Sequence, residues 1–289
     1  MTASAQQFGS AHTERKLLAV QKYLQAFTTA LKKQNFNLLY VDACAGSGSS
    51  TPRADAKQGR LLEADDIIVG SAVRALEIAT PFDRYYLNDA KRKNVRSLQA
   101  IVDQQFVHLR DRVAVMRDDA NQALVELCRS TNWRNSRAVV FLDPFGLQLN
   151  FSMVAELGQT KAVDLWYLVP VLGMSRQVKT DGSILEPGGS RIDAILGTSK
   201  WRGGVVREEV RGEDLFGPVE PAVTKVANSA WFEQVAIEQL GTVFQGGVLP
   251  QTLPLGRNGL HEFSLVFACA NPSARANELA KKLAGAVLK

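Results

Sequence analysis

Residues 38–48 read LLYVDACAGSG, and the fold is decided there. LLYVD is a short, wholly apolar run that ends in an acid and passes straight into a glycine-bearing turn. That is the pattern of a strand buried on both faces, as in a parallel sheet. Gly46 and Gly48 allow the chain to turn sharply and let a ligand approach the backbone without meeting a Cβ. The loop is not a complete G-x-G-x-x-G, and no Gly-Lys-Ser/Thr follows it, which argues against P-loop nucleotide hydrolysis.

Outward from this unit the chain alternates helix and strand. Upstream, residues 13–34 carry Leu17, Val20, Tyr23, Leu24, Phe27 and Leu31 at helical spacing, with Thr13 placed to cap the start. Downstream, apolar runs at 85–88, 113–116, 138–143 and 163–169 predict strands. Helical stretches are expected at 67–79, 91–106, 120–130 and 151–160. This order predicts an α/β protein of Rossmann-like methyltransferase fold: a mostly parallel twisted sheet with helices on both faces. The Gly-, Arg-, Glu- and Pro-rich segment 173–221, with a helical stretch at Ile192–Leu196, reads as an insertion near the acceptor side of the crevice. A helix over 222–240, two strands near 242–249 and 262–269 forming an antiparallel edge, and a final helix over 273–288 complete a single domain, 1–289.

Four successive strands end in an acid: Asp42, Asp89, Asp118/Asp119 and Asp143. In an open α/β sheet the carboxyl ends of the strands face one crevice. One such Asp is as readily a helix cap or turn residue as a ligand group; four in successive units point to a site. Backbone N–H groups of the glycine loop suit a carboxylate and Asp42 an ammonium, as on a zwitterionic cofactor. Asp89 is placed to accept ribose hydroxyls. Asp42 and Asp89 lie farther apart than the about 30 residues of a dinucleotide unit, because of a polar loop over 51–66, so NAD fits less well. Asp119, followed by Ala120 and Asn121, could accept from an adenine amino group. Asp143-Pro144-Phe145-Gly146 offers a carboxylate, a carbonyl and an aromatic face to a planar amine, or is a rigid turn with Phe145 in the core. Cys44 reads as a small loop residue rather than a nucleophile. Trp201 and Arg202, after the insertion helix, stack on a base or simply pack.

Composition narrows the class. The chain has 289 residues, 46% of them hydrophobic, and a net charge of +5. Mean hydropathy is −0.08 and the isoelectric point about 9.1. No apolar run spans a bilayer and the N-terminus lacks a signal-peptide core, so a soluble cytoplasmic protein is expected. Three scattered cysteines and three dispersed histidines predict no disulfide framework and no metal site. Basic residues cluster at Lys91, Arg92, Lys93 and Arg96, at Arg110, Arg112 and Arg117, and at Arg129, Arg134 and Arg137. They are solvated faces or a nucleic-acid footprint.

Taken in order, HTERKLLAVQKYLQAF (12–27), YVDACAGSGS (40–49), IIVGSAVRALEI (67–78), YYLND (85–89), the DAN at 119–121, VVFLDPFGL (139–147), RIDAILGTSKWR (191–202) and EFSLVFA (262–268) resemble class I S-adenosylmethionine (SAM)-dependent methyltransferases. More closely, the chain is similar to the three-Cys-motif partner family (TcmP), over nearly its whole length. The resemblance implies SAM as cofactor, bound by Asp42, Ala45, Gly46 and Gly48 in the loop, Asp89 at the ribose, and Asp119 with Ala120 at the adenine. It implies Asp143, Pro144 and Phe145 as the catalytic motif. The loop departs from the family's DxFAGPG pattern, with Cys44 where Phe is usual. DPFG also has one proline where base amino-methyltransferases carry two, so the acceptor is less defined than the cofactor. The expected function is methyl transfer to an acceptor such as an amino group on nucleic acid. The alternatives are a non-catalytic SAM- or nucleotide-binding protein acting with a protein partner, and a nucleic-acid-binding module. A hydride-transferring oxidoreductase ranks behind these.

Overall fold

The computed structural model describes residues 4–50, 68–209, 213–214, 217–218 and 222–289. The polar loop expected over 51–66 lies outside the described residues, as does part of the 173–221 insertion.

The main sheet is built from β1 (Asn37–Asp42), β2 (Arg84–Asn88), β3 (Val113–Met116), β4 (Ser136–Leu142), β5 (Val163–Val169), β6 (Gly247–Val248), β7 (Leu253–Leu255) and β8 (Phe263–Cys269). Its order is β6-β8-β5-β4-β1-β2-β3, and β7 also pairs with β8. Strands β1 to β5 are mutually parallel, whereas β8 runs antiparallel to β5. The expected antiparallel edge is therefore deeper than one strand: β8 is itself covered by the short strands β6 and β7, which pair with its two ends. The chain is a Rossmann-like α/β protein.

Strand alternation divides the interior into two cores. Leu38 and Tyr40 of β1, Val139 and Phe141 of β4, and Trp166 and Leu168 of β5 face one side. Leu39 and Val41, Val140 and Leu142, and Leu165 and Tyr167 face the other. The first core is covered by α1 (Ser4–Leu31), α2 (Ser71–Leu76), α3 (Arg92–Gln105) and α9 (Ala274–Val287). The second is covered by α4 (Ala120–Ser130), α5 (Phe151–Gln159), α6 (Val171–Ser175), α7 (Gly188–Leu196) and α8 (Ser229–Val243). Burial on both faces is why these strands read as continuous apolar runs. Leu17, Val20, Tyr23, Leu24 and Phe27 of α1 are all nearly inaccessible, and such a side chain contributes roughly 1.5–3 kcal/mol of transfer free energy.

Several expected boundaries are corrected. Helix α1 starts at Ser4, so Thr13 is inside it rather than at its cap. The helix expected over 67–79 is a short strand Ile68–Val69, paired with Ser49–Ser50, followed by α2 alone. The stretch 222–240 is not helical throughout: Ala222–Lys225 is a strand antiparallel to Val206–Glu209, and α8 begins after Asn228, whose side chain accepts from the Trp231 N–H. The β-branched Val223 and Thr224 favour the extended state. The strand expected near 242–249 shrinks to Gly247–Val248, because α8 continues to Val243.

Two glycines test the packing of the second core. A Cβ on Gly158 would lie 2.5 Å from the Val243 carbonyl oxygen, whereas one on Gly241 would meet nothing within 4 Å. Gly158→Ala is expected to lower the urea-unfolding free energy by about 1–3 kcal/mol through overpacking of α5 on α8. Gly241→Ala, on an exposed helical position, should raise it by up to about 1 kcal/mol. Equal effects from the two would refute this packing.

Candidate functional site

The carboxyl ends of β1 to β4 meet as expected, and the strand period of two sets which side chains they present. Asp42 shares the α1 face with Leu38 and Tyr40, and Asp143 continues the alternation of Val139 and Phe141. Asp42 is fully buried. Its Oδ2 accepts from Ser71 Oγ (2.5 Å) and from the Tyr40 hydroxyl (3.3 Å), and its Oδ1 from the Cys44 N–H (3.2 Å). Burial pushes its pKa up to about 7, opposed by the Ser71 hydrogen bond and reinforced by the nearby Asp143. Asp42 thus supports the glycine loop from beneath instead of standing open in the crevice.

The loop itself is asymmetric. Gly46 (φ 64°) and Gly48 (φ 85°) both adopt the left-handed region. A Cβ on Gly48 would come within 2.7 Å of Ile101 Cδ1 on α3, while Gly46 has nothing within 4 Å. Gly48 closes the packing and Gly46 faces open space. The expectation that the loop amides lie ready for a ligand carboxylate needs revision. Cys44 N–H is held by Asp42, Ala45 N–H by the Asn88 carbonyl (2.8 Å), and Gly46 N–H by Asp89 Oδ2 (3.1 Å). Asp89 Oδ1 accepts from the Lys91 N–H and from Asn94 Nδ2 (2.8 and 3.0 Å). Asp89 therefore ties the loop to the start of α3.

Asp119 caps α4, its Oδ1 accepting from the Asn121 and Gln122 N–H groups (3.0 and 3.3 Å). It is exposed and Ala120 is partly buried behind it. The Cys44 thiol is pushed up to about 12 by burial and then by Asp42, Asp143, Asp89 and Asp119 together. A thiol so surrounded stays protonated, which agrees with reading Cys44 as a loop residue and not a nucleophile.

In the DPFG turn Pro144 is buried and Gly146 has φ 75° with nothing near its Cβ position. The Phe145 ring does not enter the core: it is 80% exposed, with Lys91 Nζ 5.8 Å from its centroid. Trp201 is buried and donates to Asp193 (2.7 Å). The Arg202 guanidinium is held by Asp193 and Glu186 (2.7 and 2.8 Å). Both pack, and neither is presented for stacking.

Two residues at this site have no place in the motif reading. Lys16 of α1 is 8% exposed and forms an ion pair with Asp143, with Nζ 5.9 Å from the Phe141 ring. A clue to it exists in the sequence: Lys16 falls on the apolar stripe of α1, four and seven residues before Val20 and Tyr23. Asn88, nearly buried at the end of β2, donates from Nδ2 to the Ala43 and Asp118 carbonyls (3.2 and 3.1 Å) and accepts the Asp118 N–H (3.0 Å). It stitches three strand-end loops together. Of the basic clusters, Lys91, Arg92, Lys93 and Arg96 are exposed around the start of α3. Arg137 belongs elsewhere, half-buried with its guanidinium 3.9 Å over Phe36.

Among the described residues no helix is long and apolar enough to cross a membrane, and no group of three or more His, Cys, Asp or Glu side chains is placed to hold a metal ion. No family model matches the chain, and no curated protein matches it. Among solved structures it is similar to the crystal structure of protein LPL1258 from Legionella pneumophila str. Philadelphia 1, of family-model DUF519. The identity is 14% with a TM-score of 0.49, over 92% of this chain and 90% of that one. It is also similar to a conserved hypothetical protein of Streptococcus pyogenes, at 14% identity and a TM-score of 0.31, over 69% of this chain and 92% of that one. At these values neither bears on function.

Proposed function

We propose that this protein is a cytoplasmic SAM-dependent methyltransferase of the three-Cys-motif partner type, acting on an amino group of a nucleic-acid base. The observation that carries the reading is the set of acids at neighbouring strand ends: Asp42 and Asp89 accept from the loop N–H groups of Cys44 and Gly46, Asp119 caps α4 and Asp143 pairs with Lys16, with Gly46 open beside them. An acidic, partly desolvated crevice favours a cationic ligand, and SAM is a sulfonium that supplies an electrophilic methyl group. In this reading Gly46 gives the ligand access to the loop, Ala45 and Gly48 fix the loop's shape, and Asp89 takes the ribose hydroxyls. Asp119, with Ala120 behind it, borders the adenine.

The chain's own contribution is alignment and exclusion of water. Lys16 holds the Asp143 carboxylate at the end of β4, where it orients the acceptor amine and takes up its proton. Pro144 stiffens the turn. The exposed Phe145 ring stacks on the acceptor base, and Lys91, Arg92 and Lys93 meet its phosphates. The free cysteines Cys44, Cys128 and Cys269 suit a reducing compartment.

Calorimetry on the purified protein with SAM, S-adenosylhomocysteine and NAD tests the cofactor. Heat is expected with the first two and not with NAD; no heat with either adenosyl ligand would overturn the reading. Methyl-labelled SAM offered with mixed DNA and RNA then tests the chemistry. Tight SAM binding without any labelled product would favour the non-catalytic partner protein instead.

A further inference from the structure

A second cavity, of about 340 Å³, lies between α1, α9 and the sheet. Its position is opposite to the crevice. Arg137 and Asp164 are near the starts of β4 and β5, and Cys269 ends the antiparallel β8, so it opens at the amino ends of the parallel strands. The floor is buried and built of Tyr23, Asp164, Cys269 and Ala280, whereas the rim residues Leu31 and Leu283 are partly exposed and Leu279 is 41% exposed. The cavity therefore has a mouth to solvent.

Its polar end is specific. The Tyr23 hydroxyl donates to Asp164 Oδ2 at 2.6 Å. The Arg137 guanidinium interacts electrostatically with the same carboxylate and is fixed by its stacking on Phe36 and by bonds from Nη1 to the Trp133 and Ser136 carbonyls (3.2 and 2.6 Å). We propose that this cavity is a binding site for a small uncharged bicyclic heteroaromatic molecule, whose ring N–H donates to Asp164 while its apolar body lies among Phe27, Leu31, Leu279 and Leu283. Size and charge both lead there. A cavity of about 150 Å³ holds one benzene ring, so this one holds roughly twice that. The lining already holds one carboxylate and one guanidinium of opposite sign, and a charged ligand would bring a further charge into a largely apolar enclosure. An apolar pocket with a few converging polar groups and a perturbed carboxylate is the usual form of a small-molecule site; burial raises Asp164 to about 6, against the Tyr23 hydrogen bond. This inference stands apart from the SAM reading and involves none of its residues.

Indole and N-methylindole, which match in size and differ in the donor, test it by amide chemical-shift titration of the full chain. Indole is expected to bind with Kd below about 1 mM and at least about tenfold more tightly than N-methylindole, as one hydrogen bond to a carboxylate allows. The shifts should centre on Tyr23, Ala276 and Ala280. Ala276→Leu, at a partly exposed lining position, should abolish binding while the protein stays folded, and Asp164→Asn should erase the preference for indole. Equal affinities, shifts centred elsewhere, no binding of either probe, or unchanged binding to Ala276→Leu would each overturn the proposal.

Discussion

Asp143→Ala is expected to reduce methyl transfer by about 10³-fold or more while SAM affinity stays within about threefold. Loss of a group that both orients the acceptor and takes its proton removes contributions of order 10²–10⁴ each. The binding residues Gly46 and Asp89 are on other strand ends and are untouched. The substitution also strands Lys16. Its side chain is only 10% accessible and its ion-pair partner would be gone, which costs about 3–5 kcal/mol where such a pair is buried, less here because Asp143 is partly exposed. Lys16→Met in the same chain removes the orphaned cation. The double variant should recover most of the thermal stability and none of the transfer. Labelled-methyl incorporation and denaturant melts on the wild type, Asp143→Ala and the double variant separate the two effects. Transfer that survives in Asp143→Ala would remove Asp143 from the chemistry.

Asp42 has the second large effect, and it is visible in pH. Its pKa in the folded protein is about 7 against an ordinary value of 3.8, so between those values the folded chain keeps a proton that the unfolded chain has released. Stability of the unliganded protein should therefore fall as pH rises through that window. The full cost, about 4 kcal/mol at most, is reached above pH 7. Asp164, raised to about 6, adds a smaller decline in the lower part of the window. Asp42→Asn should flatten the slope up to pH 7 and make the unliganded protein more stable at pH 8. The same residue should make SAM binding release a proton near pH 6.5, because a cationic ligand favours the carboxylate. Calorimetry in buffers of different ionisation enthalpy would detect this, with affinity about tenfold higher at pH 8 than at pH 6. Asp42→Asn should lose both the proton release and about tenfold or more of the affinity at pH 8. A wild-type affinity independent of pH would rule out this role.

The central strands β1, β4 and β5 could be read from the sequence because burial on both faces makes them nearly uninterrupted apolar runs, and the edge strand β3, though none of its residues is buried, because it is a short apolar run followed by a turn. The acids after them could be read for the same reason: a charge directly after such a run has no packing role. What the sequence hid was how those acids are engaged. Asp42 and Asp89 are described by hydrogen bonds to Ser71, Tyr40, Gly46 and Asn94, and such pairings depend on the fold, not on local pattern. The Asn88 stitch was hidden because an Asn ending an apolar strand looks like a turn residue. The segment 222–240 differs from a single helix because the local extended preference of Val223 and Thr224 covers only two residues, and the strand Ala222–Lys225 is completed by its pairing with Val206–Glu209, a partner outside any local window. Conversely, the exposure of Phe145 removes the reading that places its ring in the core, which the residues alone left open.

Helix α1 spans the whole depth of the sheet. Lys16, midway along it, lies on the crevice side against Asp143, and Tyr23 and Phe27, farther along, lie in the wall of the cavity at the amino ends of the parallel strands. The two turns from Lys16 to Tyr23 rise about 10 Å, a stiff beam clamped by aromatic packing of Tyr23 on Trp166 and Phe267. Sliding this beam by a single residue's rise, about 1.5 Å, carries the ammonium half a contact away from its carboxylate. The cavity and the crevice use different residues, but one helix carries both Lys16 and the aromatic wall of the cavity, so a shift of that helix along its axis would be felt at both places.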